Sequence, residues 1–222
     1  MWQLNMETEV QITNLRGSKI YTIDNVFEEP NKLKRYLFNR RTALLQGTPW
    51  VENGEEYFKG RYTDFEDKAC PIIWLASNLC SQPPSYHGGF MTNVESWRKS
   101  EYNDYKNNYW FPHLDNGYTC IVYFNEGSGT NLYDPSTKKE DWFKQSMKDK
   151  PDVINPWVKR SKIKVIKKLK SKYNRMVLFD GNKFPHSSTV DDAKYFEDNV
   201  TNTALLNKRC NLCFFLAPNE KK

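Results

Sequence analysis

The chain has 222 residues, a formal charge of +6, 38% hydrophobic residues and 27% charged ones. That length suits one domain, and a 15% share of aromatics, each burying a large area, offsets the low apolar total, so a disordered chain is not expected. No stretch reaches the roughly 18–20 apolar residues of a bilayer span. The start, Met1-Trp2-Gln3-Leu4-Asn5-Met6-Glu7, lacks the basic and apolar regions of a secretory signal, which points to a cytoplasmic protein with no membrane partner.

Residues 1–20 are polar, with a short alternation at Val10-Gln11-Ile12 that reads as an edge strand or a loose lead-in. Tyr21 to Phe27 reads as a strand running into a turn. Pro30, preceded by Glu28 and Glu29, opens a helix, because proline is tolerated in the first turn and acids there suit the dipole. Leu33, Tyr36, Leu37 and Leu44 carry its apolar stripe to about residue 45, where Gly47-Thr48-Pro49 stops it. Residues 46–66 form an aromatic loop. Pro71 opens a second helix whose face carries Ile72, Leu75 and Leu79. Beyond Ser85 the pattern turns to strands near 89–97, 113–125, 161–169, 175–180 and 207–216, rich in β-branched or aromatic residues and bounded by Asn, Gly, Asp and Pro. Ser171 to Asn174 reads as a hairpin turn, and the polar residues 134–157 as an excursion from the sheet. The expected fold is mainly β with flanking α. It is a single domain with an N-terminal support region over about 1–84 and a jelly-roll core over about 85–218, the helices packed outside.

Five cysteines (70, 80, 120, 210 and 213) form no even framework and read as reduced, buried thiols. Cys210-x-x-Cys213 is not read as a zinc or redox pair, because residues i and i+3 of a strand point to opposite faces. Nine Lys or Arg and no acid lie between Val158 and Arg175. The run reads first as a solvated hairpin and second as a surface for nucleic acid or an acidic partner.

The chain has three histidines, His87, His113 and His186. On one extended strand, His113 and Asp115 point to the same side, together with Gly117, Thr119, Ile121 and Tyr123. His-x-Asp with a distal histidine fits the two-histidine, one-carboxylate ligand set of non-haem Fe(II) oxygenases, and His186 supplies that histidine. The pair alone also fits an ordinary surface contact at a strand start. Arg209 opens an otherwise apolar strand. On its buried face it would need an anion, and with Asn211 two positions on it would hold a dicarboxylate; at an exposed strand start it would need none. His87, between Tyr86 and two glycines, reads as a loop residue.

Together these residues resemble a known family. His113-x-Asp115, the strand Tyr118 to Asn125, Gly129-Thr130-x-x-Tyr133, the run Asn174 to Gly181, His186 and Arg209-x-Asn211 are similar to the core of the Fe(II)/2-oxoglutarate-dependent oxygenases, nearest the prolyl-4-hydroxylase-like and phytanoyl-hydroxylase-like branches. Tyr21-x-Ile23-Asp24-Asn25-Val26-Phe27-x-x-Pro30 resembles the N-terminal segment of their small members, so the likeness spans most of residues 20–216. It implies a double-stranded β-helix with Fe(II) on His113, Asp115 and His186. It implies 2-oxoglutarate as co-substrate, its distal carboxylate on Arg209, beside Asn211 and a tyrosine (Tyr123, Tyr109 or Tyr102), with O2 as the oxidant. The implied reaction is hydroxylation of a C–H bond in a peptide, amino acid or small molecule, with release of succinate and CO2. Asp115 favours this over halogenation, since the halogenating branches lack the carboxylate. Two features depart from the family. Phe196 stands where the prolyl-hydroxylase branch has a lysine, and the gap from His186 to Arg209 is long, as an insertion near 190–206 would make it. The rival readings are an oxidative nucleic-acid demethylase of the same superfamily, a non-catalytic jelly-roll binding protein and a cupin-type metal enzyme. The sequence carries no signal for an oligomeric state.

Overall fold

The structure is a computed structural model that describes residues 2–40, 51–52, 55–56, 62–64, 71–82, 90–95, 97–98, 102–137, 157–191, 196–197 and 209–216. Leu44, His87, most of the aromatic loop, most of the 134–157 excursion and most of the 190–206 insertion lie outside the described residues.

The chain begins with β1 (Val10–Leu15) and β2 (Ser18–Ile23), an antiparallel hairpin in which Leu15 pairs with Ser18. The two loop residues, Arg16 and Gly17, have φ of 47° and 76°, the left-handed pair that matches strand twist in a two-residue hairpin. Helix α1 (Pro30–Arg40) follows, then three short strands, β3 (Val51–Glu52), β4 (Glu55–Glu56) and β5 (Tyr62–Asp64), and helix α2 (Pro71–Cys80). Next come β6 (Phe90–Glu95), β7 (Trp97–Arg98), α3 (Tyr102–Asn107), β8 (Asn108–Trp110), β9 (Tyr118–Tyr123) and β10 (Gly127–Tyr133). After β11 (Trp157–Lys159) and a 3-10 turn at Arg160–Lys162 run β12 (Val165–Ser171), β13 (Arg175–Asp180), β14 (His186–Ser188), β15 (Phe196–Glu197) and β16 (Arg209–Leu216).

Two antiparallel sheets make up the core. Among the described residues the larger has the order β1-β2-β13-β9-β16-β6-β5 and the smaller β12-β10-β14. A single bridge, His113 to His186, adds one more rung to the smaller sheet beyond β14. The pairings are nested: β6 with β16, residue 113 with β14, β9 with β13, and β10 with β12.

Strand parity sorts the buried residues into two layers. Cys120, Val122 and Phe124, Met176 and Leu178, and Cys210, Leu212 and Phe214 share one core cluster with Leu33 and Leu37 of α1 and Ile72 and Ala76 of α2. The two helices therefore cover the outer face of the larger sheet. Ile121, Tyr123, Val177, Phe179 and Cys213 form a second cluster with Leu132, Leu169 and Phe184, which fills the space between the sheets. Cys210 and Cys213 fall in different layers, as strand parity requires, and Cys80, Cys120, Cys210 and Cys213 are buried and form no disulfide.

The expected face of α2 packs on the core: Ile72 is buried and Leu75 and Leu79 are half-buried against the same cluster, with Ala76, Ser77 and Cys80 also buried. Two sequence expectations need correction. Residues 113–125 are not one strand. His113 pairs in the smaller sheet and β9 in the larger, so the chain changes sheets between them, through Gly117 at φ 100°. Residues 171–174 do form a turn, closed by Arg175 N–H to Lys172 O at 3.0 Å, but it joins β12 of one sheet to β13 of the other and is not a hairpin.

Asn174 fixes that corner. It is buried, with φ 60°, a conformation asparagine tolerates better than most residues. Its side-chain oxygen accepts from Phe27 N–H (3.0 Å) and its amide donates to Phe27 O (2.8 Å). Its backbone donates to Tyr123 O and accepts from Val26 N–H. Replacing Asn174 with Ala leaves both buried Phe27 groups without these partners. We expect a loss of about 2–4 kcal/mol, at about 1–3 kcal/mol per orphaned group, read by urea unfolding. Asn174→Gly should lose almost as much, since it relieves only the backbone strain.

Nearby, Asp24 accepts from Arg175 Nε (2.6 Å) and Nη2 (3.0 Å) and from Lys172 Nζ (3.0 Å). The hydrogen bonds to Arg175 are the main reason its carboxyl is held down at about 2. A carboxyl with a depressed folded pKa stabilises the fold above its unfolded value and loses that contribution as pH falls through the folded one. The loss therefore runs from about pH 4 to about pH 2, and Asp24→Asn should flatten stability across that window in an acid-titration series of thermal melts.

Candidate metal centre

His113 and His186 meet because their backbones pair. His113 N–H donates to His186 O at 2.9 Å, and His186 N–H donates to His113 O at 2.8 Å. Residues directly opposite in such a pair project to the same side. His186 also stands opposite Leu132, an inward-facing core residue, so both imidazoles project between the sheets. Their ring centroids are 4.4 Å apart. Asp115, two residues on, is anchored by its N–H to Gly181 O at 3.0 Å. The parity expected of one strand does not operate here. The ligands converge because the chain is leaving the smaller sheet at that point.

Among the described residues, one group of three metal-ligating side chains brings its donor atoms within 4.8 Å of one another: His113, Asp115 and His186. Asp115 Oδ2 lies 3.0 Å from His186 Nε2, and Oδ1 lies 3.7 Å from His113 Nε2. A cis edge of an octahedron with bonds of about 2.1 Å measures about 3 Å, so the carboxylate and His186 are at ligand spacing. His186 is buried, while about a third of the His113 side chain is exposed (34%), which leaves the site open on that side.

The outer hydrogen bonds fix both rings. His113 Nδ1 lies 2.9 Å from Phe111 O, and His186 Nδ1 lies 3.0 Å from Phe184 O. A carbonyl only accepts, so each Nδ1 carries a proton and each ring turns its Nε2 toward Asp115. Phe111 reaches this position at φ 41°, a strained conformation for a phenylalanine, and its ring stacks on His113 at 5.2 Å. The ionised carboxylate needs positive charge beside it, which a proton on an imidazole or a divalent cation among the three groups can supply. Burial opposes ionisation of Asp115, but His186, His113 and the Thr119 hydroxyl outweigh it and hold the carboxyl well below the usual range. The residues therefore fit a metal ion bound by two neutral imidazoles and an ionised carboxylate.

Thr119 and Gly181 are parts of the site that sequence reasoning left without a role. Thr119 Oγ1 donates to Asp115 Oδ2 at 2.5 Å. A Cβ on Gly181 would collide with Thr119 Oγ1 and press on Asp115 Cβ. The signal was present as a hydroxyl four residues past the aspartate and a glycine at the end of the strand pairing with it, but only the pairing of Phe179 with Thr119 explains it.

Arg209 lies on the inward face of β16 and is buried, 3% exposed. Its Nη2 lies 3.2 Å from Gly129 O and 3.4 Å from Thr130 Oγ1, and its guanidinium sits 5.8 Å from the centre of the Tyr123 ring. Tyr123 is wholly buried, hydrogen-bonds Thr130 Oγ1 at 2.8 Å, and has its phenol pushed up to about 12 by burial. Asn211 is buried two positions on, with its side-chain oxygen 2.9 Å from Cys213 Sγ. Glu95 is the backbone partner of Arg209 across β6. The structure thus brings Arg209 and Tyr123 together beside Asn211. It does not bring Tyr109 to them: that ring packs against Tyr133 at 5.0 Å and under Arg160, toward the outer side of the smaller sheet. The side chain of Tyr102 lies outside the described residues.

The chain matches no known family model, and none of the curated proteins matches it.

Thr119→Val keeps the shape and removes the donor to Asp115. Divalent-metal affinity, read by chelator competition with Mn(II) or Co(II), should fall about 10-fold, at the low end of losses seen for partners of metal ligands. The melting temperature of the metal-free protein should change little.

Proposed function

We propose that the protein is an Fe(II)- and 2-oxoglutarate-dependent dioxygenase that hydroxylates a C–H bond of a small-molecule or peptide substrate. The observation that carries this reading is the convergence of His113 Nε2, His186 Nε2 and the Asp115 carboxylate, with both Nδ1 protons committed to backbone carbonyls. Two imidazoles and one carboxylate on one side of an ion leave the other side for exogenous ligands, the arrangement of non-haem Fe(II) oxygenases. The nested pairing, first strand with last and so inward to the fourth and fifth, supports a double-stranded β-helix, a jelly roll with the site between its sheets.

Iron bound there would couple oxidation of 2-oxoglutarate by O2, to succinate and CO2, to insertion of one oxygen atom into a substrate C–H bond. The chain's own residues orient and insulate. His113, Asp115 and His186 would hold the metal, and Phe111 O and Phe184 O fix the ring tautomers. Arg209, on the same inner side, is a buried fork of donors suited to a carboxylate, with the Thr130 and Tyr123 hydroxyls beside it. Phe179 and Phe184 help keep water from the space between the sheets. The tyrosine phenol stays protonated and can donate, as burial requires.

Anaerobic addition of Fe(II) and then 2-oxoglutarate should raise a weak visible charge-transfer band, absent with either alone. His113→Ala should abolish it. Arg209→Ala should leave Fe(II) binding intact and weaken 2-oxoglutarate about 10- to 100-fold, the size of a lost charge-assisted hydrogen bond; Arg209→Lys should lose less. A wild-type protein that shows no band with both additions, or a band that survives His113→Ala, would end this reading.

A further inference from the structure

The basic run is solvent-exposed, as its sequence suggests, but it is not a hairpin. It passes from β11 through the 3-10 turn into β12, the outermost strand of the smaller sheet. There it walls an open cavity of about 510 Å³ that includes Tyr109, Arg160, Lys162 and Lys164. An adjoining cleft shares Tyr109 and Arg160 and adds Asn131 and Lys168. Both lie toward the outer side of the smaller sheet, since Tyr109 packs on Tyr133, whose hydroxyl meets Ser187, the neighbour of inward-facing His186.

Arg160 is held in place at this surface. Its Nη2 donates to Tyr105 O at 2.8 Å, its Nε to Asn108 O at 3.4 Å, and its plane sits 4.8 Å from the centre of the Tyr109 ring. Lys162, Lys164, Lys168 and Lys170 are exposed, and among the described residues none of the four forms an ion pair. Lys168 and Lys170, two apart on β12, stand about 6.6–6.8 Å from each other along the strand. Among the described residues, Asp134, whose N–H donates to Lys164 O, is already paired with Arg16, and Asp191 lines the smaller cleft.

We propose that this surface binds the phosphate backbone of a single-stranded nucleic acid through Arg160, Lys162, Lys164, Lys168 and Lys170. Like charges left together on a fold cost self-repulsion, and a polyanion relieves it while releasing its own counterions. The open cavity suits a strand tracked by its charge, and a guanidinium lying on a tyrosine offers a planar platform for a base. An acidic peptide fits less well. A lysine-rich edge strand resists strand addition, and of the apolar residues lining the larger cavity, Ile163 is buried and Val165 half-buried, which leaves little apolar surface to anchor a peptide. The inference is independent of the metal reading, because the triad faces the other side of the sheet.

The test is fluorescence anisotropy with a labelled single-stranded RNA or DNA of roughly 16 nucleotides. We expect binding at about 50 mM salt that weakens log-linearly with salt, by about 0.7 per phosphate contact. The Lys162→Ala/Lys164→Ala/Lys168→Ala/Lys170→Ala variant should bind at least about 10-fold more weakly, with a salt slope smaller by about 2–3. Lys164→Glu alone should move both in the same direction, which guards against misfolding of the fourfold variant. Lys19→Ala/Lys32→Ala and His113→Ala should leave both unchanged. The proposal fails if the oligonucleotide does not bind at about 50 mM salt, if the Lys19/Lys32 variant loses as much affinity, or if poly-glutamate binds more tightly than the oligonucleotide.

Discussion

The reciprocal backbone hydrogen bonds between His113 and His186 are the constraint on which the rest of the site depends. A single rung of antiparallel pairing holds two residues 73 positions apart in sequence, with both side chains on one side of the sheet. Everything else near the candidate metal centre adjusts to that rung. Phe111 accepts an unfavourable backbone conformation to place its carbonyl under one ring, and Phe184 does the same service for the other. Asp115 is delivered not by the rung but by the chain's departure from it, and is caught by Gly181 and Thr119 on the neighbouring sheet. The site therefore belongs to neither sheet. It sits at the seam, and its geometry reports whether the two sheets are correctly registered.

This explains why the ligands were legible in the sequence while their arrangement was not. His113, Asp115 and His186 stand out because the chain has few histidines and because His-x-Asp has a chemical meaning. The strands around them stand out because alternation of apolar residues is a local signal, and β9, β13 and β16 carry it strongly enough to divide their faces correctly. What alternation does not encode is which sheet a strand joins. The breaks at Gly117 and at Asn174 look in sequence like the middle of a strand and the tip of a hairpin. Both are crossings, set by partners more than fifty residues away. The same limit applies to Tyr109. Its neighbours gave no sign that the residue faces outward, because that depends on its pairing with Val158 of β11.

Arg209 shows the opposite case, where burial turns an ambiguous residue into an informative one. In sequence it stood equally well for an exposed strand start or a buried cation. It is buried, on the inward layer, against Tyr123 and Thr130. A guanidinium keeps its charge in any environment, so the fold must supply acceptors and a polarisable surface around it. The hydroxyls of Thr130 and Tyr123 are linked to each other, and Arg209 donates to that of Thr130, so together they make a polar pole in an otherwise apolar interior. The space between the sheets thus has two polar ends, one anionic at Asp115 and one cationic at Arg209. A molecule that chelates a metal at one end and carries a carboxylate at the other would be complementary to both.

The smaller sheet consequently has two faces with opposite electrostatic character. Its inner face contributes His186 and, through the added rung, His113, to a site organised around a carboxylate. Its outer side and outermost strand carry the cations of the basic run. These arrangements need not interfere, because the sheet between them is filled by Leu132 and Leu169 inward and Tyr133 outward, all nearly inaccessible to water. The two faces meet through the backbone of the smaller sheet, and nearest the histidines through β10 and β14, where Leu132 pairs with His186 and Asn131 with Ser187. That ladder is short, three residue pairs, and its buried hydroxyls are already engaged: Tyr133 with Ser187, and Thr189 with Asn131. Charge placed on the outer side is therefore separated from the metal ligands by one apolar layer and a satisfied polar network. A partner recruited there would not touch His113 or His186.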